Sequence, residues 1–152
     1  MAPGNSPGVL SIDGDYEQTG VFQWELNALP DDATLGVYDR VIATGNFTGS
    51  NAVFQVVLLG NSFTDAFWDA PKTWGNVFTA ANLFDLGSIF TSYSGSGVNS
   101  DGTVTDEGHF TLSGSNLTWT AVPEPTGAIS ALLLAVGMLR RRRTTGGRQH
   151  RH

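Results

Sequence analysis

Val21-Phe22-Gln23-Trp24-Glu25-Leu26 decides the fold class. Phe22, Trp24 and Leu26 fall on one side of an extended chain and Gln23 and Glu25 on the other, and a period of two marks a half-buried strand rather than a helix. The same texture continues on both sides. Val9-Leu10-Ser11-Ile12 and Tyr16 come before it, and Pro30-Asp31-Asp32 after it has the chemistry of a turn. Residues 37–43 resume a strand, Asn46-Phe47-Thr48-Gly49-Ser50 reads as another turn, and Ala52–Leu59 as a further strand.

The second half of the body is less regular. Phe63, Phe67, Trp68 and Trp74 crowd around Asp65, Asp69 and Pro71, and the spacing of apolar residues predicts one short helix over 76–84. Residues 92–102 read as a Ser/Gly/Asn loop. Residues 106–112 and 117–121 then read as a closing hairpin around Ser113-Gly114-Ser115-Asn116.

Composition agrees with many short strands joined by tight turns, since 19 of the 152 residues are glycine. Cysteine is absent, so disulfides, zinc-thiolate sites and thiol nucleophiles are excluded. Only Arg40 and Lys72 among the 8 basic residues precede Pro123, against 13 of the 14 acidic ones, which leaves the body at −11 and the tail at +5. A body that acidic repels phosphates, and nucleic-acid partners are not expected. The first eight residues carry neither a basic n-region nor an apolar h-region, so no signal peptide is recognisable there.

The last thirty residues form three distinct parts. Pro123 and Pro125 flank Glu124, fix φ twice and remove two backbone donors, so the tripeptide is expected to be extended and accessible. Gly127, Ala128, Ile129, Leu132, Leu133, Leu134, Val136, Met138 and Leu139 belong to an uncharged run over 127–139 whose backbone can satisfy itself in lipid only as a helix. At about 1.5 Å per residue the run covers about 20 Å, short of a hydrocarbon core of roughly 30 Å, so spanning needs snorkelling arginines or a thinned bilayer. Arg140, Arg141, Arg142 and Arg143 supply that, and by the positive-inside bias they hold the C-terminus in the cytoplasm as a stop-transfer signal.

These three parts in this order resemble the PEP-CTERM sorting signal of bacteria. The resemblance implies export, then processing near Pro123-Glu124-Pro125 by an exosortase, a membrane-embedded cysteine peptidase. An export tag with no export signal ahead of it leads to the expectation that the chain is the distal piece of a longer exported protein. The body, from Gly8-Val9-Leu10 and Gly14-Asp15-Tyr16-Glu17-Gln18-Thr19 to Phe54-Gln55-Val56-Val57-Leu58, is similar to the closing coils of autotransporter-associated β-strand repeat proteins. That similarity implies a β-solenoid or a sandwich-like continuation of one. Phe22 and Trp24 depart from it, standing where smaller strand residues are usual.

Chemistry in the body is sparse. His109 is its one histidine, and no Gly-x-Ser-x-Gly elbow surrounds a serine. Glu17, Glu25 and Glu107 are its glutamates, each expected on a solvated outward face, although paired carboxylates for glycoside cleavage are a spatial matter. Asp13-Gly14-Asp15 offers oxygen ligands but not the spacing of an EF-hand, and β-turn aspartates explain it. Trp68 and Trp74 near Asp65 and Asp69 are candidates for sugar stacking, weighed against a role as core plugs.

The expectation is thus an all-β protein. It comprises a disordered segment at 1–8, a β-solenoid end or β-sandwich-like body at 9–121, the sorting signal at 122–143 with its short transmembrane helix, and a basic tail at 144–152. The expected function is structural or adhesive at the cell surface or outside the cell, without catalysis or cofactor. Its partners would be the exosortase, the inner membrane in transit and extracellular polysaccharide. A secreted carbohydrate-binding module and a secreted glycoside hydrolase fragment are the alternatives.

Overall fold

The computed structural model describes residues 7–123. Within them the chain makes three successive circuits that lie on top of one another. The first consists of β1 (Val9–Ile12), β2 (Tyr16–Gln18) and β3 (Val21–Asn27), and β4 (Val37–Tyr38) leads out of it. The second is β5 (Arg40–Ala43), β6 (Asn46–Gly49) and β7 (Ala52–Leu59), followed by a 3-10 turn at Ala66–Trp68 and β8 (Lys72–Trp74). The third is β9 (Phe78–Thr79), β10 (Asn82–Leu83), the helical turn α1 (Leu86–Ile89) and β11 (Phe90–Gly95). The chain then ends in β12 (Thr103–Val104), β13 (Gly108–Ser113) and β14 (Asn116–Ala121).

Corresponding strands pair in parallel from one circuit to the next, in the orders β1-β5-β9, β2-β6-β10 and β3-β7-β11. Register follows directly: Leu10 sits beside Val41 and Val41 beside Phe78, while Phe22 sits beside Phe54 and Phe54 beside Tyr93. The inward residues therefore stack in columns, and aromatic rings meet within a column, as Tyr16 with Phe47, and between columns, as Phe22 and Phe47 with Phe78. Ring centroids lie 4.9 Å apart for Phe22 and Phe78, 4.9 Å for Phe47 and Phe78, and 5.1 Å for Tyr16 and Phe47. Each such pair contributes roughly 0.5–1.5 kcal/mol beyond the area it buries.

One end of the stack is closed and the other is less covered. An antiparallel sheet in the order β12-β13-β14-β8 closes the end formed by the third circuit. Ser115 in its hairpin turn accepts from the Val77 N–H (2.9 Å), and the Tyr93 hydroxyl accepts from the Leu112 N–H (2.9 Å). At the opposite end β1 is an edge strand of its sheet. Its inward Leu10 and Ile12 are only partly buried, although their register mates Val41 and Ala43 are buried.

The described residues are all-β in character and form no closed barrel. The strand at Val21–Asn27, the strand at Ala52–Leu59 and the closing hairpin lie where the periodicity puts them, with Phe22, Trp24 and Leu26 fully buried. Four expectations are corrected. Residues 76–84 hold no helix but the two short strands β9 and β10, because Val77 and Phe78 turn into the core beneath Val41. Residues 46–49 are strand β6, since Phe47 belongs to the inward column. Part of the loop expected over 92–102 is strand β11, which pairs with β7. The strand expected over 37–43 breaks at Asp39, whose buried carboxylate accepts from the Gly8 N–H (2.6 Å) and the Glu25 N–H (3.0 Å).

The compact body closes at Val122, whose N–H donates to the Glu107 carbonyl at 2.7 Å. Glu124, Pro125, the apolar run over 127–139 and the arginine cluster lie outside the described residues. Among the described residues no helix is long and apolar enough to cross a membrane.

Candidate functional site

Trp68 and Trp74 are the first candidates, and both are core residues. They are 1% and 0% exposed, so neither offers a face to a sugar ring. Trp74 packs edge-on against Trp24 at 5.2 Å and donates its indole N–H to the Leu35 carbonyl at 2.9 Å. Trp68 packs edge-on against Trp119 at 5.0 Å, and the Trp119 indole N–H donates to the Trp68 carbonyl at 2.8 Å. Together with Phe67 and Phe110 they form an aromatic block under the closing sheet, which corrects the stacking-platform reading.

The acidic candidates divide into turn pins and one buried pair. Asp13 accepts from the Thr44 hydroxyl (2.9 Å), and Asp15 accepts from the Asn46 backbone N–H (2.7 Å) and side-chain amide (3.0 Å). Both carboxylates thus fasten a corner of the first circuit to the same corner of the second. Among the described residues no three His, Asp or Glu side chains converge as metal ligands would. Glu17 is exposed on β2 and Glu107 is half-buried before β13. Glu25 is not on a solvated face: it is buried, and one of its carboxylate oxygens finds no hydrogen-bond partner. Burial pushes its carboxyl above the ordinary range and the neighbouring Asp39 charge adds to the rise. Burial also raises Asp39, against the pull of its hydrogen bonds from the Gly8 and Glu25 N–H groups. His109 is exposed on β13, opposite Thr103.

A concave site that the sequence did not suggest opens beside β7. Strand β7 runs on to Leu59, but β11 stops at Gly95 opposite Val56, so the sheet steps down and leaves a hollow of about 640 Å³. Gln55, Asn61, Ser62, Phe63 and Ser96 line it, along with backbone of the Gly95–Gly97 turn. Gly95 has φ of 143° and Gly97 of 81°, which is how the turn bends away so sharply. A Cβ on Gly95 would also press on the Val56 carbonyl. Phe63 is held by Trp68 (4.9 Å) and Trp119 (5.8 Å, stacked), so this wall is rigid.

Asn61 is the unusual member. Its side-chain oxygen and nitrogen are both buried, and neither finds a hydrogen-bond partner among the described residues. Leaving such a group unsatisfied costs roughly 1–3 kcal/mol, so it calls for an explanation. In the sequence Gly60-Asn61-Ser62 is only a polar stop after a strand, and nothing there marks the residue out.

Of the sorting motif only Pro123 is described; it is exposed and directly follows Val122. No protein-family model, no curated protein and no solved structure matches this chain.

Proposed function

We propose that this chain is an exported structural or adhesive β-protein, delivered to the cell envelope by a C-terminal sorting tag of the PEP-CTERM type and processed there by an exosortase-type membrane peptidase. The observation that carries this reading is the order of the tail, Pro123-Glu124-Pro125, then the apolar run, then Arg140 to Arg143. A compact body that closes at Val122, one residue before the motif, is consistent with a cargo that survives cleavage of its tag. The apolar run holds the chain in the inner membrane, the arginines stop transfer, and the motif stays accessible for the peptidase.

The finer fold reading belongs to the same proposal: the body is the end of a β-solenoid. Parallel pairing at every contact between circuits supports a solenoid over a sandwich, whose sheets are antiparallel. Closure by the β12–β14 sheet at one end, with Leu10 and Ile12 partly uncovered at the other, suits a terminal cap. A stacked scaffold of this kind is suited to a structural role, because each circuit leans on its neighbours.

Fractionation of cells producing the full chain behind a secretory signal peptide, with protease added to spheroplasts, tests the reading. The body is expected on the extracytoplasmic side, membrane-held before processing and free of the membrane afterwards. A full-length chain dissolved in the cytoplasm and never bound to membrane contradicts it.

A further inference from the structure

We propose that the hollow between the end of β7 and the Gly95–Gly97 turn binds a neutral saccharide, with Asn61 as its central polar contact. The lining carries no charged side chain: Gln55, Asn61, Ser62 and Ser96 offer amides and hydroxyls, and Phe63 offers an aromatic wall. A neutral, hydroxyl-rich ligand is the chemical match. The Asn61 amide holds one donor group and one acceptor beside the hollow, both buried and without a partner among the described residues. Once the side chain turns into the hollow, adjacent sugar hydroxyls, each able both to donate and to accept, would satisfy the two at once.

Size and charge narrow the class further. A volume of about 640 Å³ falls within the range of small-ligand sites and holds one or two sugar rings. With a body charge of −11, anionic sugars would be repelled. An extended peptide added to the β7 edge is the competing occupant, but only Val57–Leu59 project beyond β11, too short a ladder to hold a strand. This site does not depend on how the chain is sorted.

The test is calorimetric titration of the full-length chain, held in a detergent without a sugar headgroup, with neutral gluco-, xylo- and manno-oligosaccharides. At least one series should bind, and Asn61→Ala should weaken that binding about tenfold or more, as expected when a buried polar contact is removed. Thermal denaturation provides the second readout. Because the substitution removes an unsatisfied amide, the Asn61→Ala protein should keep or exceed the wild-type Tm, which separates lost binding from lost folding. Gln55→Ala should weaken binding as well. No binding by any of the three series at millimolar concentration, equal binding by the Asn61→Ala chain, or displacement of the sugar by an unrelated extended peptide would each overturn the proposal.

Discussion

Asp15 and Asn46 stand one above the other on successive circuits, the Asp15 carboxylate accepting from both the backbone N–H and the side-chain amide of Asn46. Asn46 in turn accepts from the Asn82 amide at 2.8 Å, so one polar ladder crosses all three circuits at the same corner. The inward columns are mostly apolar, with Gln18 as a buried polar member, and do little to oppose sliding. This ladder has one register only, and it ties the circuits together where the chain bends.

Each of these two side chains takes part in two bonds of the ladder, so removing either should cost a similar amount. Asp15→Ala and Asn46→Ala are each expected to destabilise by about 1–2 kcal/mol. A double-mutant cycle by urea denaturation should give a coupling energy between Asp15 and Asn46 of at least about 0.5 kcal/mol. Strict additivity would mean that the ladder contributes nothing to register.

Gly49 lies beside Gln18 in the β2–β6 pairing, and a methyl group there would run into the Gln18 carbonyl oxygen and crowd Ile89. Gly49→Ala should destabilise by about 2 kcal/mol or more, because backbone rather than a flexible side chain must yield. Gly114→Ala in the closing hairpin meets nothing within 4 Å and has φ of 56°, so it should cost only the strain of a left-handed alanine, about 1 kcal/mol. Thermal denaturation of the pair checks the ranking.

The Glu25 and Asp39 carboxyls are both raised in the folded body. The folded state thus holds their protons more tightly than the unfolded chain, and the stability they contribute is complete below ordinary carboxylate values of about 4. It is lost as pH rises through their elevated values. Tm should accordingly increase when pH falls from 7 to about 5, opposite to common acid denaturation. Glu25→Gln should flatten this profile and raise Tm at pH 7 by about 2–5 °C. Glu17→Gln, which removes the same charge from an exposed position, should do neither. Equal effects from the two substitutions would point to net charge rather than to the buried pair.

Trp68→Ala and Trp74→Ala should each destabilise by about 3–5 kcal/mol, as befits fully buried rings in an aromatic block. Saccharide binding, if the folded fraction is preserved at low temperature, should survive Trp74→Ala, because Trp74 does not line the hollow. Denaturation and titration of the same samples separate the two effects.

How much of this was legible in the sequence follows from which residues carry it. Phe22, Trp24 and Leu26 announce a strand because alternation is local. Phe78 and Leu83 do not, because strands of two residues are too short to show a period and apolar spacing over 76–84 imitates a helix. The stacking of circuits leaves no pattern in the sequence: Leu10, Val41 and Phe78 share one column but differ in size, which hides the repeat. Burial of Glu25 and Asp39 was illegible, since it depends on β4 folding back onto β3. The hollow at Asn61 was illegible too. It exists because β11 stops short of the end of β7, a mismatch between segments some forty residues apart.

The central claim is that the tail sorts and the body is cargo, and intact-mass measurement of the mature product tests it most directly. In a host with an exosortase, the wild-type chain produced behind a secretory signal peptide should yield a body cut near Pro123-Glu124-Pro125 and lacking the apolar run, whereas replacing those three residues by alanine should leave the uncut mass in the membrane fraction. Identical processed masses from the two chains would contradict the account.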